Sequence, residues 1–175
     1  GTVEIALAYS GTATDGSDFT GVATATIADG ASSADLDLDT IADSLYEGIS
    51  ETVTVTITGI NSGAGAIGAP TSAITAIEDG DSAPEYIISA VAEAVNEGAE
   101  VGFTVTGNIP ATVGVDYTLS YTGDADPDGD FIAVYSGSIA AGSTSSTITM
   151  ALLEDGKVEG DEALIGNLDS VSLGS

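Results

Sequence analysis

Several residue types on which most enzyme sites depend are missing from this chain. It contains no cysteine, no histidine and no arginine, and Lys157 is its one basic residue. Thiol chemistry, imidazole bases, histidine or cysteine metal ligands and guanidinium contacts are therefore excluded. Of the common mechanisms, paired carboxylates of the kind that glycosidases use remain available.

The near absence of positive charge also limits the partners. With 28 acidic residues, the net charge is -27. Such a chain has no basic surface with which to neutralise phosphates, which excludes a nucleic-acid partner. Self-repulsion at this charge opposes compaction unless cations are bound, and without cysteine no disulfide can offset it. No apolar run approaches the roughly 18 residues of a membrane span.

What the chain does contain is alternation between apolar and polar residues, which is typical of half-buried β-strands. The expected inward residues are Val53, Val55 and Ile57 in TVTVTITGI, Val101, Phe103 and Val105 in VGFTVTG, and Leu36 and Leu38 in ADLDLD. Gly, Asn, Pro and Ser cluster between these segments, and no segment has a convincing helical pattern. With 43% hydrophobic residues, the chain can bury a core. The sequence therefore predicts an all-β protein.

The strongest pattern in the chain is an internal repeat. A shift of 112 residues aligns positions 3–48 with 115–160 without a gap, and 15 of the 46 aligned pairs are identical. We therefore predict two copies of one unit, residues 1–82 and 83–175. The first copy would lack its opening strands and the second its last strand. The first carries 13 acids and the second 15 acids with one lysine, which gives net charges of -13 and -14.

Residues 123–131 read GDADPDGDF, and their spacing matches the start of an EF-hand calcium loop. The match then ends, because position 12 of such a loop is Tyr135 instead of glutamate, and no flanking helices are indicated. Under the repeat, this segment is the counterpart of GTATDGSDF at 11–19, so an ordinary acidic turn is the alternative. Both segments end in Asp-Phe, which identifies Asp18 and Asp130 as their shared acids.

Acidic residues are sorted to one end of each predicted unit. Successive antiparallel strands alternate in direction, so every second loop lies at the same end. In the second copy, the loops GNIPATVG, AAGS and SVSLGS at the opposite end contain no acid. The sorted acids are Asp18, Asp43, Glu47, Glu51, Glu78, Asp79 and Asp81 in the first copy, and Glu97, Asp124 to Asp130, Glu154, Asp155, Glu159, Asp161 and Glu162 in the second.

Clustered carboxylates indicate a cation, because two of them at about 4 Å repel by roughly 1–4 kcal/mol. Oxygen ligands from several loops, with no nitrogen or sulfur ligand available, favour calcium over zinc. The sequence therefore predicts calcium at the acidic end, with a generic acidic rim as the alternative.

Four sets of residues resemble Calx-β domains: VNEG at 95–98, the GSDF and GDF loops, EDGKVEGDE at 154–162 and IEDGD at 77–81. In particular, they resemble the tandem Calx-β-like repeats of large secreted bacterial adhesins of the RTX type and related cell-surface proteins. The resemblance covers nearly the whole chain. It implies tandem immunoglobulin-like antiparallel β-sandwiches that bind calcium at one tip.

The same resemblance implies a set of calcium ligands. Carried over by position, they are Asp18, Asp43, Glu47, Glu78, Asp79 and Asp81 in the first copy, and Glu97, Asp130, Glu154, Asp155 and Glu159 in the second. The chain departs from the family pattern at Ala42, which stands where an acid is expected. It also departs in YEGISE, which has one residue more than VEGDE, and in the missing VxEG glutamate of the first copy.

These observations favour a non-enzymatic, calcium-stiffened extender in an extracellular adhesin or cell-surface fibre. Calcium held by Glu78, Asp79 and Asp81 would restrict the connection between the two copies. The expected partners are neighbouring repeats or identical subunits, and a surface glycan or the matrix of a host or biofilm is a further candidate.

Other functions stay open. A filament subunit could be completed by strands from its neighbour, since each copy is incomplete. A ligand-binding adhesive domain would need an aromatic platform, and the six tyrosines and three phenylalanines form no cluster in the sequence. The sparse acids on strand faces disfavour a halophilic cytosolic protein, and the short loops disfavour a carboxylate-based hydrolase.

Overall fold

A computed structural model describes residues 1–48, 50–157 and 160–174, and the described residues form twelve β-strands and no helix. This confirms the expected all-β class of tandem immunoglobulin-like sandwiches. No helix among the described residues is long and apolar enough to cross a membrane. The chain divides into two compact units, Gly1–Asp43 with Gly48–Gly80 and Ser44–Glu47 with Asp81–Ser175.

The first unit is built on a four-stranded antiparallel sheet. Its strands are β1 (Val3–Gly11), β2 (Phe19–Thr20), β3 (Thr24–Ile27), β4 (Asp39–Thr40), β5 (Glu51–Ser62) and β6 (Ser72–Ile77). The order in the sheet is β3-β1-β5-β6, and the two short strands β2 and β4 pair separately. Among the described residues of this unit, only Phe19 and Val53 are buried hydrophobic residues. The predicted inward residues Val55 and Ile57 are only half-buried.

The second unit contains two three-stranded antiparallel sheets. Its strands are β7 (Tyr86–Ala90), β8 (Glu100–Gly107), β9 (Val115–Gly123), β10 (Ser136–Ile139), β11 (Ser145–Ala151) and β12 (Leu164–Leu173). The strand orders are β10-β9-β12 and β11-β8-β7. The segment Ser44–Glu47 belongs to this unit because Tyr46 forms a bridge with Ala111 and donates its N–H to the carbonyl of Pro110 at 3.0 Å.

Alternation along the strands explains the core of the second unit. Strand β9 points Val115, Tyr117 and Leu119 inward, and their exposed fractions are 2%, 2% and 3%. Phe103 and Val105 of β8 are also buried, as the alternation of VGFTVTG predicts. The two sheets therefore bury their apolar faces between them, in two neighbouring clusters of buried residues.

The repeat extends to the register of the strands. In β1 and β5, the pair Leu7 and Ile57 is followed by Ala6 and Gly59, so one residue of β5 is skipped. In β9 and β12, the pair Leu119 and Leu168 is followed by Thr118 and Ser170, so one residue of β12 is skipped. Leu7 and Leu119 are equivalent under the 112-residue shift. The same irregularity thus occurs at the same position of both units.

One predicted strand is wrong. The segment ADLDLD does not form a strand over its length, and only Asp39 and Thr40 enter β4. Leu36 and Leu38 are half-buried, while Asp35 and Asp37 are exposed. The equivalent residues of the second unit form β11, which hydrogen bonds to β8. Among the described residues of the first unit, no strand corresponds to β8, so the alternating segment has no ladder to join.

Candidate metal centre

The loop that precedes β2 holds the carboxylate of Asp18 in a fixed position. The N–H of Thr14 donates to Oδ2 of Asp18 at 2.5 Å, and the N–H of Asp18 donates to the carbonyl of Thr14 at 3.0 Å. The next residue, Phe19, is only 1% exposed and anchors the end of the loop in the core. The Asp18 carboxylate is therefore oriented by its own loop.

The GDADPDGDF segment forms the same loop in the second unit. The N–H of Asp126 donates to Oδ2 of Asp130 at 2.6 Å, and the N–H of Asp130 donates to the carbonyl of Asp126 at 2.9 Å. Phe131 is fully buried, like Phe19. Asp128 takes a φ of 68°, where the first unit has Gly16 at 91°. The segment is therefore a variant of the repeated loop, and its last aspartate is the structural equivalent of Asp18.

Two tyrosines that the sequence analysis did not single out support these loops. Tyr9 donates its hydroxyl to the carbonyl of Val22 at 2.8 Å, and its ring lies 5.5 Å from that of Phe19. Tyr121 donates to the carbonyl of Val134 at 2.5 Å, and its ring lies 5.4 Å from that of Phe131. Burial raises the pKa of Tyr121 to about 12, with smaller contributions from Tyr135 and Tyr117. The sequence offered one signal for this role, which is that tyrosine stands at both of these equivalent positions of the repeat.

Three carboxylates come together next to the first of these loops. One oxygen from each of Asp18, Glu47 and Glu51 lies within 4.8 Å of the others. None of the three residues is exposed, and Oε2 of Glu51 is buried. Asp18 and Glu51 belong to the first unit, and Glu47 directly precedes Gly48, where the chain returns to that unit. We refer to these three residues as the three-carboxylate group.

The donor set of this group fits calcium. Calcium binds oxygen at about 2.3–2.6 Å, so two oxygens on opposite sides of one ion are about 4.6–5.2 Å apart. A separation of up to 4.8 Å allows all three oxygens to contact one ion. Repulsion between two carboxylates at this distance is on the order of 3 kcal/mol at an effective dielectric constant of about 20. A bound cation would remove that repulsion, and the ligands present are those that hard cations prefer.

Glu51 is the member of the group that the predicted ligand set omits. The sequence places it at the acidic end, but the extra residue in YEGISE displaces it from the motif positions. When the extra residue is skipped, its counterpart in the second copy is Glu162. In the structure, Glu51 is the first residue of β5, where the strand begins at the acidic end of the unit.

The other predicted ligands of the first copy lie outside the three-carboxylate group. Asp43 and Glu78 are exposed, while Asp79 and Asp81 are half-buried. Oδ2 of Asp79 accepts the N–H of Gly48 at 3.3 Å, so the acidic segment after β6 contacts the residue that follows Glu47. Within the described part of the chain, the group of three or more carboxylates whose oxygens lie within 4.8 Å of one another consists of Asp18, Glu47 and Glu51.

In the second copy, two predicted ligands lie on neighbouring loops. Oε2 of Glu154 would be 3.3 Å from a Cβ atom placed on Gly98, which has a φ of 76°. Glu154 therefore lies against the VNEG loop, whose exposed Glu97 immediately precedes that glycine. Asp130 occupies the repeated loop described above. Glu159 lies outside the described residues, so its relation to Asp130 is a prediction.

Asp155 is paired with Lys157, the single lysine of the chain. Its Oδ2 forms an ion pair with Nζ of Lys157, and its Oδ1 accepts the N–H of Lys157 at 2.8 Å. The side-chain hydrogen bond from Lys157, followed by the backbone one, lowers the pKa of Asp155 below its usual value. The equivalent positions of the first copy are Asp43 and Leu45, so this internal cation exists in one copy only.

Comparisons with known proteins give a weak likeness. No protein-family model matches the chain, and no curated protein matches it. Among solved structures, it is similar to CBD12 from CALX1.2, with a TM-score of 0.42, 15% identity, and coverage of 99% of this chain and 69% of that one. It is also similar to calcium binding domain CBD12 of CALX1.1, with a TM-score of 0.38, 15% identity, and coverage of 99% and 70%. These values do not assign the chain to a family.

Proposed function

We propose that this chain is a non-enzymatic calcium-binding repeat. The observation that carries the proposal is the three-carboxylate group, in which Asp18, Glu47 and Glu51 place oxygens within 4.8 Å of one another. The net charge of -27 supports it, because a bound divalent cation offsets repulsion that compaction would otherwise increase. The chain contributes the oxygens, the loop hydrogen bonds that orient Asp18, and the buried Phe19 that fixes the loop.

The wider role that we propose is that of a calcium-stiffened extender in an extracellular adhesin or cell-surface fibre. Neighbouring repeats or identical subunits are its proposed partners. The internal repeat and the resemblance of its acidic loops to Calx-β motifs support this role. The contact between Asp79 and the N–H of Gly48 supports a link between the acidic segment 78–81 and the residues next to Glu47.

Calorimetric titration tests the binding step. Calcium should bind and raise the melting temperature strongly, whereas magnesium should do so weakly, because it requires a smaller and more rigid coordination sphere. At 100 times the dissociation constant, one calcium site adds about 2.7 kcal/mol to the free energy of unfolding. Glu51→Gln should reduce this gain. Asp37→Asn, which removes the same charge from an exposed position, is the matched control.

Equal melting curves in calcium and in chelator would contradict the binding step. The stiffening step has its own measurement, which is small-angle scattering of the full chain. The distance distribution should be longer and narrower in calcium than in chelator, and the double variant Asp79→Ala, Asp81→Ala should remove that difference. An unchanged distribution in a chain that binds calcium would reject the extender role and leave calcium binding in place.

A further inference from the structure

The peptide bond between Asp126 and Pro127 is the one aspartyl-prolyl bond of the chain, since the other prolines follow alanine or isoleucine. The nitrogen of such a bond carries no hydrogen, because the proline ring closes on it. It therefore cannot attack the aspartate side chain to form a succinimide, which is the usual side reaction of aspartyl bonds. The reaction that stays open to the side chain is attack on its own carbonyl carbon.

The loop polarises that carbonyl group. The carbonyl oxygen of Asp126 accepts two backbone hydrogen bonds, from the N–H of Gly129 at 3.0 Å and from the N–H of Asp130 at 2.9 Å. When a carbonyl carbon is attacked, its oxygen gains negative charge, and donors that are already in place stabilise that charge. These two N–H groups therefore form an oxyanion hole for a reaction at the carbonyl carbon of Asp126.

The side chain of Asp126 lies close to its own carbonyl group in this loop. A Cβ atom placed on Gly129 would be 3.4 Å from Oδ2 of Asp126 and 3.4 Å from its carbonyl oxygen. Both oxygens therefore border the open position beside Gly129. The backbone is held on each side of the bond, because the N–H of Asp126 donates to Oδ2 of Asp130 at 2.6 Å and the N–H of Asp128 donates to the carbonyl of Phe131 at 2.9 Å.

The first unit contains the same turn without the reactive pair. The carbonyl oxygen of Thr14 accepts the N–H groups of Ser17 at 3.1 Å and of Asp18 at 3.0 Å. Under the 112-residue shift, Thr14 and Asp15 stand at the positions of the aspartate and the proline. This bond therefore has no carboxylate before it and an ordinary amide nitrogen after it. Both loops hold the carbonyl group in the same way, and one of them has the residues to react.

We propose that the bond between Asp126 and Pro127 is a self-cleavage site. A carboxylate oxygen of Asp126 attacks the carbonyl carbon of the same residue and closes a cyclic anhydride. The bond to the proline nitrogen breaks, and that nitrogen takes a proton from solvent. Water then opens the anhydride, which leaves a new carboxyl terminus at Asp126 and a new amino terminus at Pro127. The reaction consumes one water molecule and needs no other reactant.

Cleavage at this bond cuts the second unit without releasing either part. The products are residues 1–126 and 127–175, and the cut lies between β9 and β10. Strands β10 and β12 stay paired with β9, and β11 stays paired with β8. The cut chain should therefore elute as one species from a sizing column in native buffer and as two fragments in denaturant.

Incubation of the full chain with chelator, at the lowest pH at which circular dichroism shows it folded, tests the proposal. Acid supplies the proton for the proline nitrogen, and the chelator makes the result independent of calcium binding. Mass spectrometry should detect cleavage after Asp126 at least about tenfold faster than in a synthetic peptide of residues 122–132, because the peptide lacks the fixed donors. The bond between Thr14 and Asp15 should stay intact.

Two variants identify the chemistry. Asp126→Asn keeps the size of the side chain but removes the carboxylate, and Pro127→Ala restores an amide nitrogen that is a poorer leaving group. Each should slow the cleavage at least about tenfold. Hydroxylamine should trap the anhydride as the hydroxamate of Asp126 in the original chain and should give no such product in Asp126→Asn. Asp124→Asn removes the same charge from the same loop and, as the matched control, should cleave at the original rate.

Three results would each overturn the proposal. One is the absence of cleavage in the folded chain. Another is a rate in the folded chain that is no higher than in the peptide, which would mean that the loop adds nothing to the general acid lability of such bonds. The third is cleavage of Asp126→Asn at the original rate, since water or a trace protease would then be cutting the bond without the carboxylate.

Discussion

The two units differ in burial far more than in sequence pattern. Leu119 of the second unit is 3% exposed, while Leu7, its equivalent in the first, is half-buried. Both stand at the same register position, next to the same strand irregularity. Alternation therefore determines which face of a strand is apolar, but burial requires a second layer. The second unit has that layer in β7, β8 and β11, which pack against β9.

The loops that end in Asp18 and Asp130, in contrast, are alike. The hydrogen bond from Thr14 to Asp18 has its equivalent from Asp126 to Asp130, and Phe19 and Phe131 are equally buried. Gly11 and Gly123 both have a positive φ, and at each a Cβ atom would lie 2.0 Å from a backbone carbonyl oxygen. The hydrogen bonds that hold the two aspartates join residues four positions apart. Local geometry therefore survives where the covering layer differs.

The largest expected effect comes from truncating the matched leucines. Leu119→Ala should lower the free energy of unfolding of the second unit by about 2–5 kcal/mol, because it leaves a cavity in a closed core. Leu7→Ala should cost the first unit about 1 kcal/mol, because a half-buried side chain loses less contact and solvent fills the space. Hydrogen exchange of the β9 and β1 amides, measured in chelator, reports each unit separately.

The exposed pair Thr26→Ala and Ser138→Ala provides the control, since these positions are also equivalent and neither is buried. Neither change should alter the exchange rates appreciably. If both leucine variants lowered the free energy of unfolding by the same amount, the comparison would fail. That result would show that the inner face of β1 is covered to the same extent as that of β9.

The sequence predicts the strands best where their neighbours are in the same unit. The inward residues Phe103 and Val105 are identified correctly because β8 lies between β7 and β11. The same kind of alternation at Leu36 and Leu38 predicts a strand that does not form. Alternation of apolar and polar residues indicates which face of a segment can be buried. A β-ladder also needs a neighbouring strand to hydrogen bond with, and the residues of the segment do not specify that neighbour.

The candidate site is predictable to a similar extent. The repeat identifies Asp18 and Asp130, because both loops have the same length and the same final residues. It does not identify Glu51 as a member of the three-carboxylate group, since one extra residue before it changes the motif spacing. The distance between Asp18 and Glu51 depends on how β5 begins beside the loop, and no local pattern specifies that.

The next effect in size concerns the repeated aspartates. Asp130→Ala should weaken calcium binding by the second copy more than Asp124→Ala does, because Asp130 is equivalent to Asp18 whereas Asp124 matches Thr12. In chelator, Asp130→Ala should also cost about 1 kcal/mol, since the N–H of Asp126 loses its acceptor. Calorimetric titration and urea denaturation measure the two quantities.

Asp130→Asn separates these roles, because an amide oxygen can still accept the N–H of Asp126 but carries no charge. It should restore most of the stability and little of the calcium affinity. If Asp124→Ala proves the more damaging change for calcium, GDADPDGDF is a separate site and the two acidic ends are not equivalent.

The smallest expected effect tests the one internal cation. Lys157→Leu gives the second copy the residue that the first has at Leu45, and it removes the hydrogen bonds and charge that lower the pKa of Asp155. A lowered folded-state pKa contributes stability above the unfolded value of about 3.9, and that contribution is lost as the pH falls through the folded value. The variant should therefore be slightly less stable than the original chain at neutral pH in chelator, and the difference should vanish in acid. Because both groups are exposed, salt should reduce the effect.

Carboxyl NMR titration should show the pKa of Asp155 rising toward its usual value, and calcium affinity should rise as Asp155 is released. An unchanged titration would show that Lys157 does not hold Asp155 in solution, and the two acidic ends would then be electrostatically alike.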